Sequence, residues 1–177
     1  NNIYNAGYRD KYGYMTWMEY LQTKQYAASD TTDLWKTSEQ PVGAMKDAAC
    51  SFLDFLEANS GQDQVGLSIY THTNSSGAIL EHGLSTNLSQ VRTTLTQRQA
   101  GHYTSLTNIS AGMKNARDEI AAHARLRTFR WMVVMTDGIA NEPGTDTEAR
   151  AAVVAEANAA AAAKIKVLTI SLGVGAD

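Results

Sequence analysis

From Pro41 onward the apolar positions switch between a helical and a strand period, and the switches divide the chain into elements. Val42, Met45, Ala49, Phe52, Leu53 and Leu56 fall on one helical stripe. Pro41 suits its first turn, and Asn59-Ser60-Gly61 its end. Val65 to Thr73 is rich in β-branched and aromatic residues between turn formers and reads as a strand, with Ala78 to Leu80 a short hairpin partner across Asn74-Ser75-Ser76-Gly77. Leu88, Val91 and Leu95 mark a short helix capped by Ser85 or Asn87. Ile109, Met113, Ala116, Ile120 and His123 mark another, which places His123 among packed positions. Arg130 to Thr136 is nearly all apolar, the pattern of a strand buried on both faces of a parallel sheet. The alanine-rich stretch Thr145 to Ala163 predicts a helix, and Lys166 to Leu172 a further buried strand.

Strands separated by helices imply right-handed crossovers, so the expected class is α/β: a doubly wound, mostly parallel sheet flanked by helices. Ligands of such sheets bind at the carboxyl ends of the strands, which directs attention to the residues after Thr73, Thr136 and Leu172. Residues 1–40 have another character. Six of the eight tyrosines (Tyr4, Tyr8, Tyr12, Tyr14, Tyr20 and Tyr26) lie there, with Trp17 and Trp35. Tyr14, Trp17, Met18 and Leu21 predict an amphipathic helix around 13–28, whose aromatic face either packs on the main domain or binds a ligand.

At 177 residues the chain is long enough for one domain with its own core. A single cysteine, Cys50, excludes an intrachain disulfide and any zinc site of several thiolates, and reads as a small buried hydrophobe. A net charge of −3 gives no nucleic-acid footprint. Apolar runs such as Trp131 to Met135 fall far short of the ~20 residues of a membrane span. The four histidines lack the spacing of a histidine metal site.

Candidate chemistry gathers in two segments. Met135-Thr136-Asp137-Gly138 brings a carboxylate off the most apolar strand, where it needs a cation or several donors, and Gly138 lets the backbone turn beside it. Upstream, Gly101 to Ser110 concentrates hydroxyls in the loop entering a helix. Hydroxyls, one carboxylate and water suit a hard cation such as Mg²⁺. The same residues also fit capping hydroxyls beside a hydrogen-bonded aspartate. A hydrolase with Asp137 as nucleophile is the rival from another class, but Ile139 stands where its general acid belongs, and no GxSxG elbow occurs. A structural envelope or filament subunit without a working metal site is the third reading.

In order along the chain, these segments resemble the von Willebrand factor type A family, in the form of its bacterial, TadG-like members of the cell envelope. Pro41 to Leu56 is similar to that family's first helix, Asp63 to Thr71 to its second strand, Leu106 to Met113 to its threonine loop, Val133 to Gly138 to its aspartate strand, and Val167 to Gly175 to its fifth strand. The resemblance implies a metal-ion-dependent adhesion site for Mg²⁺, or Mn²⁺ or Ca²⁺, with Thr107 and Asp137 as ligands and Thr104 in place of Thr107 if the loop register shifts. Asn108, Gly138 and His102 would then border a partner protein that offers an acidic side chain. Binding rather than turnover is implied, along with an extracellular or cell-envelope location, anchorage outside this segment, and other envelope or pilus subunits as partners. The family's DxSxS motif is missing from the sequence. A central first strand carrying it is therefore expected ahead of Asn1, with residues 1–40 an insertion near the metal-site edge and 41–177 the domain proper.

Overall fold

A computed structural model describes residues 42–59, 62–71, 77–98, 106–136 and 138–172. The aromatic segment 1–40 and its expected helix lie outside the described residues. Four helices and four strands follow in the order α1 (Val42–Asn59), β1 (Val65–Tyr70), β2 (Ala78–Ser85), α2 (Leu88–Thr96), α3 (Ile109–His123), β3 (Arg130–Thr136), α4 (Asp146–Ala162) and β4 (Ile165–Ser171). The protein is mixed α/β.

The helix boundaries follow from local chemistry. Asn87 caps α2, its Oδ1 accepting from Gln90 N at 3.2 Å, and Asn108 caps α3 in the same way through Ala111 N at 3.0 Å. At α4, Thr145 and Glu148 form a capping box: Thr145 Oγ1 accepts from Glu148 N, and Glu148 Oε2 accepts from Thr145 N at 2.8 Å. Each side chain satisfies backbone donors that the first turn would otherwise leave without a partner.

Of the expected doubly wound layer, the described strands form two pairs. β1 pairs antiparallel with β2, and β3 pairs parallel with β4, giving two separate two-stranded sheets among the described residues. β1 ends at Tyr70, because Thr71 N turns into the hairpin to donate to Gly77 O at 2.9 Å. β2 runs on to Ser85, well past Leu80, since pairing with β1 as far as Val65↔Ser85 carries the polar stretch Glu81-His82-Gly83 through the ladder.

A shared helix joins the two sheets. Ile109, Met113 and Ile120 of α3 enter one core with Met132 and Val134 of β3, Ile165 of β4, and Ala149 and Ala160 of α4, while Tyr70 and Leu84 pack on it from the first sheet. Tyr70 also reaches across, its hydroxyl donating to the Met135 carbonyl at 2.8 Å. A second, smaller core holds Leu53 of α1 with Leu88 and Val91 of α2. Strands β3 and β4, expected to be buried on both faces, are covered on one by the described helices. α3 and α4 pack on the face of Met132, Val134 and Ile165, and leave Trp131 54%, Val133 44% and Leu168 48% exposed on the other. His123 is exposed rather than packed, its Nδ1 lying 2.8 Å from Glu119 Oε2, and Cys50 is half-buried.

Candidate functional site

Three connections converge at the carboxyl ends of β1 and β3. The Tyr70 to Met135 hydrogen bond ties those two ends together through the tyrosine side chain. Gly77, with φ at +66°, closes the β1–β2 hairpin against the start of α3: a β-carbon there would stand 2.5 Å from Asn108 Nδ2. The third connection is the turn after β3. Thr136 Oγ1 donates to Gly138 O at 3.0 Å and accepts from Gly138 N at 3.3 Å, which fixes the backbone on either side of position 137. Leu172 N donates to Thr136 O at 2.8 Å and holds the end of β4 to the same turn.

The loop before α3 is tied to the turn after β3 by a reciprocal pair of hydrogen bonds. Thr107 N donates to Asn141 Oδ1 at 2.8 Å, and Asn141 N donates to Thr107 O at 3.2 Å. With its backbone held this way, the half-buried Thr107 has a hydroxyl that makes no hydrogen bond to another described residue. Asn108 is differently occupied. Its Oδ1 accepts from Ala111 N and from Ser110 Oγ, both at 3.0 Å, so the side chain expected at a partner-binding rim serves as the helix cap. Gly138 is half-buried with open space where a β-carbon would stand, leaving that flank of the turn accessible.

Of the predicted site residues, Thr107, Asn108 and Gly138 are thus brought to one edge. Asp137, Thr104 and His102 lie outside the described residues. No group of three or more His, Cys, Asp and Glu side chains placed to hold a metal ion occurs among the described residues. The donor chemistry at this edge is that of neutral oxygens, which fits a hard cation held by hydroxyls and few carboxylates. Sequence reasoning missed Asn141, the residue that joins the two loops. Its signal was its position four residues after Asp137, at the far end of the turn.

Compared with models of known protein families, with curated proteins and with solved structures, the chain matches none.

Proposed function

We propose that the chain is a divalent-cation-dependent protein-binding domain of the von Willebrand factor A type, and not an enzyme. The observation that carries this reading is the reciprocal Thr107–Asn141 bridge, which brings a hydroxyl without a described partner to the turn that bears Asp137. Thr107 and Asp137 would hold Mg²⁺, Mn²⁺ or Ca²⁺, with Thr104 the substitute for Thr107. When bound, the cation supplies Lewis acidity toward an acidic side chain of a partner protein. Thr107, as a neutral donor, leaves more of that positive charge uncancelled than a second carboxylate would. Gly138 keeps the rim low enough for a partner to approach, and Asn108 holds the helix start in place behind it. His102 completes the rim in this reading.

The same proposal includes the finer fold. β1 and β3 each have one hydrogen-bonded partner among the described residues, and a strand placed between them would join the two sheets into one doubly wound layer. That strand is proposed to precede Asn1 and to carry the DxSxS ligands, residues 1–40 being an insertion beside them. An extracellular or cell-envelope setting, with pilus or envelope subunits as partners, belongs to the same reading.

The test is thermal unfolding of the full protein with Mg²⁺, Mn²⁺, Ca²⁺ or chelator. At a cation concentration a hundredfold above Kd, stabilisation is about 2.7 kcal/mol. For a domain of this size that raises Tm by roughly 5–10 °C. The rise is expected to vanish in Asp137→Asn and Thr107→Val. A Tm indifferent to cation and chelator overturns the reading, as does metal-dependent phosphatase turnover that Asp137→Asn abolishes.

A further inference from the structure

We propose that the end of the molecule opposite the candidate site, where β3 and β4 begin, docks onto an anionic phospholipid surface. This inference is independent of the metal-site reading. It rests on apolar exposure and charge found together at that end.

The α3–β3 connection, Arg125-Leu126-Arg127-Thr128-Phe129, leads into Arg130 and Trp131. Leu126 is 87% exposed and Phe129 92% exposed, while Trp131, one residue into the strand, is 54% exposed. Large apolar side chains so fully in water are a liability unless they meet something. The α4–β4 connection lies beside them. Arg130 pairs in register with Ile165 and Trp131 with Lys166, so Lys164 and Lys166 flank the same strand ends. Lys166 Nζ stands 5.0 Å from the Trp131 ring centroid.

Within these two connections the charge is of one sign. Arg125, Arg127, Arg130, Lys164 and Lys166 are five of the chain's 15 Lys and Arg residues, in a protein of net charge −3. The sequence contains no acid between Glu119 and Asp137, or between Glu156 and Asp177. None of the five cations forms an ion pair with a described residue. Arg125 donates instead to the Gln62 carbonyl.

Two of these cations occupy backbone positions that suit glycine. Arg127 has φ at +62° and Lys164 at +60°, the left-handed region that a β-carbon disfavours. The lysine ends α4 where glycine is the ordinary residue, its N–H donating to Ala161 O at 2.9 Å. A cation at each position works against the local fold, which is expected if the charge serves a contact.

Cations interleaved with Leu, Phe and Trp match a bilayer interface, where the cations meet phosphate headgroups and the apolar side chains enter the acyl boundary. Phosphate on a nucleic acid would use the charge but leave Leu126 and Phe129 in water.

The test is co-sedimentation of the full chain with vesicles of phosphatidylcholine alone or mixed in equal parts with phosphatidylglycerol, at low and high salt. Binding is expected only to the mixed vesicles and is expected to weaken with salt. Each cation removed by Arg→Gln at 125, 127 or 130 should lower partitioning about fivefold. The double change Leu126→Ser with Phe129→Ser should lower it tenfold or more, with Tm unchanged because both side chains are already in solvent. Lys164→Gly provides the control for folding: Tm holds or rises as the left-handed strain is relieved, while vesicle binding falls. Absence of binding to the mixed vesicles at low salt overturns the proposal. So does binding that survives the loss of Leu126 and Phe129, or that is matched by duplex DNA with those two residues removed.

Discussion

At Gly112 a β-carbon would stand 2.8 Å from Cβ of Tyr70 and 3.3 Å from its Cδ1, so α3 lies against β1 only while position 112 has no side chain. Gly112→Ala is expected to displace the tyrosine ring and lower stability by about 1–3 kcal/mol in denaturant titration. Tyr70→Phe keeps the ring and removes only the hydroxyl bound to Met135 O; about 1 kcal/mol is expected from it. A larger loss from Gly112→Ala than from Tyr70→Phe locates the close approach, not the hydrogen bond, as the stronger constraint. Glu148 sets a pH dependence. Hydrogen bonds from the Thr145 backbone and then from its side chain hold the carboxyl below its ordinary value. A folded pKa below the unfolded one means the contribution is complete above the ordinary carboxylate value and is lost as pH falls through the lowered one. Stability measured from neutral to acidic pH should therefore decline less steeply in Glu148→Gln than in the parent. Single residues were unevenly legible in the sequence. The cap Asn87 was legible, as one of two candidates with Ser85, because a capping side chain acts on its own neighbours, whereas Thr145 was read as the first helical residue and not as a cap. Asn141 and Gly112 were not, because what they touch lies on another element.

The alanines of α4 show how an element with little apolar contrast is oriented. Ala149 and Ala160 are fully buried against α3 and β4, while Val154, the bulkiest aliphatic type in the helix, is 60% exposed. Small side chains on the inner face let α4 approach α3 closely, and Arg117 Nε donates to Glu156 Oε2 at 3.0 Å across the seam. Ala160→Leu is expected to destabilise by about 1–3 kcal/mol through overpacking. Ala155→Leu, on the exposed side, should change Tm little, and thermal unfolding of the pair checks the orientation. Helices were the most legible elements, since their period and caps are both local. β2 was half-read: Glu81-His82-Gly83 lacks the composition of a strand, and its hold comes from the β1 ladder and from Glu119 Oε1, which accepts from Leu84 N at 2.8 Å. Such partners lie from 15 residues (Leu67 for His82) to 35 residues (Glu119 for Leu84) away and leave no local period.

Across the whole molecule, alternation of helix and strand made the mixed α/β class legible, but not how the strands combine. Which strand pairs with which is a non-local choice, and among the described residues β3 has a strand partner on one side. Leu172 N bonds to Thr136 O on the β4 side. The polar groups of a strand residue point to one edge and alternate along the chain, so the amides of Met132 and Val134 also face β4, and those of Trp131 and Val133 face away. Hydrogen exchange should accordingly be fast at Trp131 and Val133 and slow at Met132 and Val134 in the 177-residue chain. Equal protection at all four would mean that the edge is already paired. The candidate site was legible as two segments, a hydroxyl loop and a strand-end aspartate, but the bridge that joins them was not.

That edge, without a strand partner among the described residues, also bears on how the protein behaves in concentrated solution. Trp131-Met132-Val133-Val134-Met135 is uncharged, free of proline and rich in β-branched residues, the composition of segments that stack into cross-β fibrils. An edge that no described strand pairs is a template for a second chain, so self-association through β3 is expected to rise with protein concentration, as light scattering would show. Whatever strand comes to lie beside β3 would act as its guard against fibre formation.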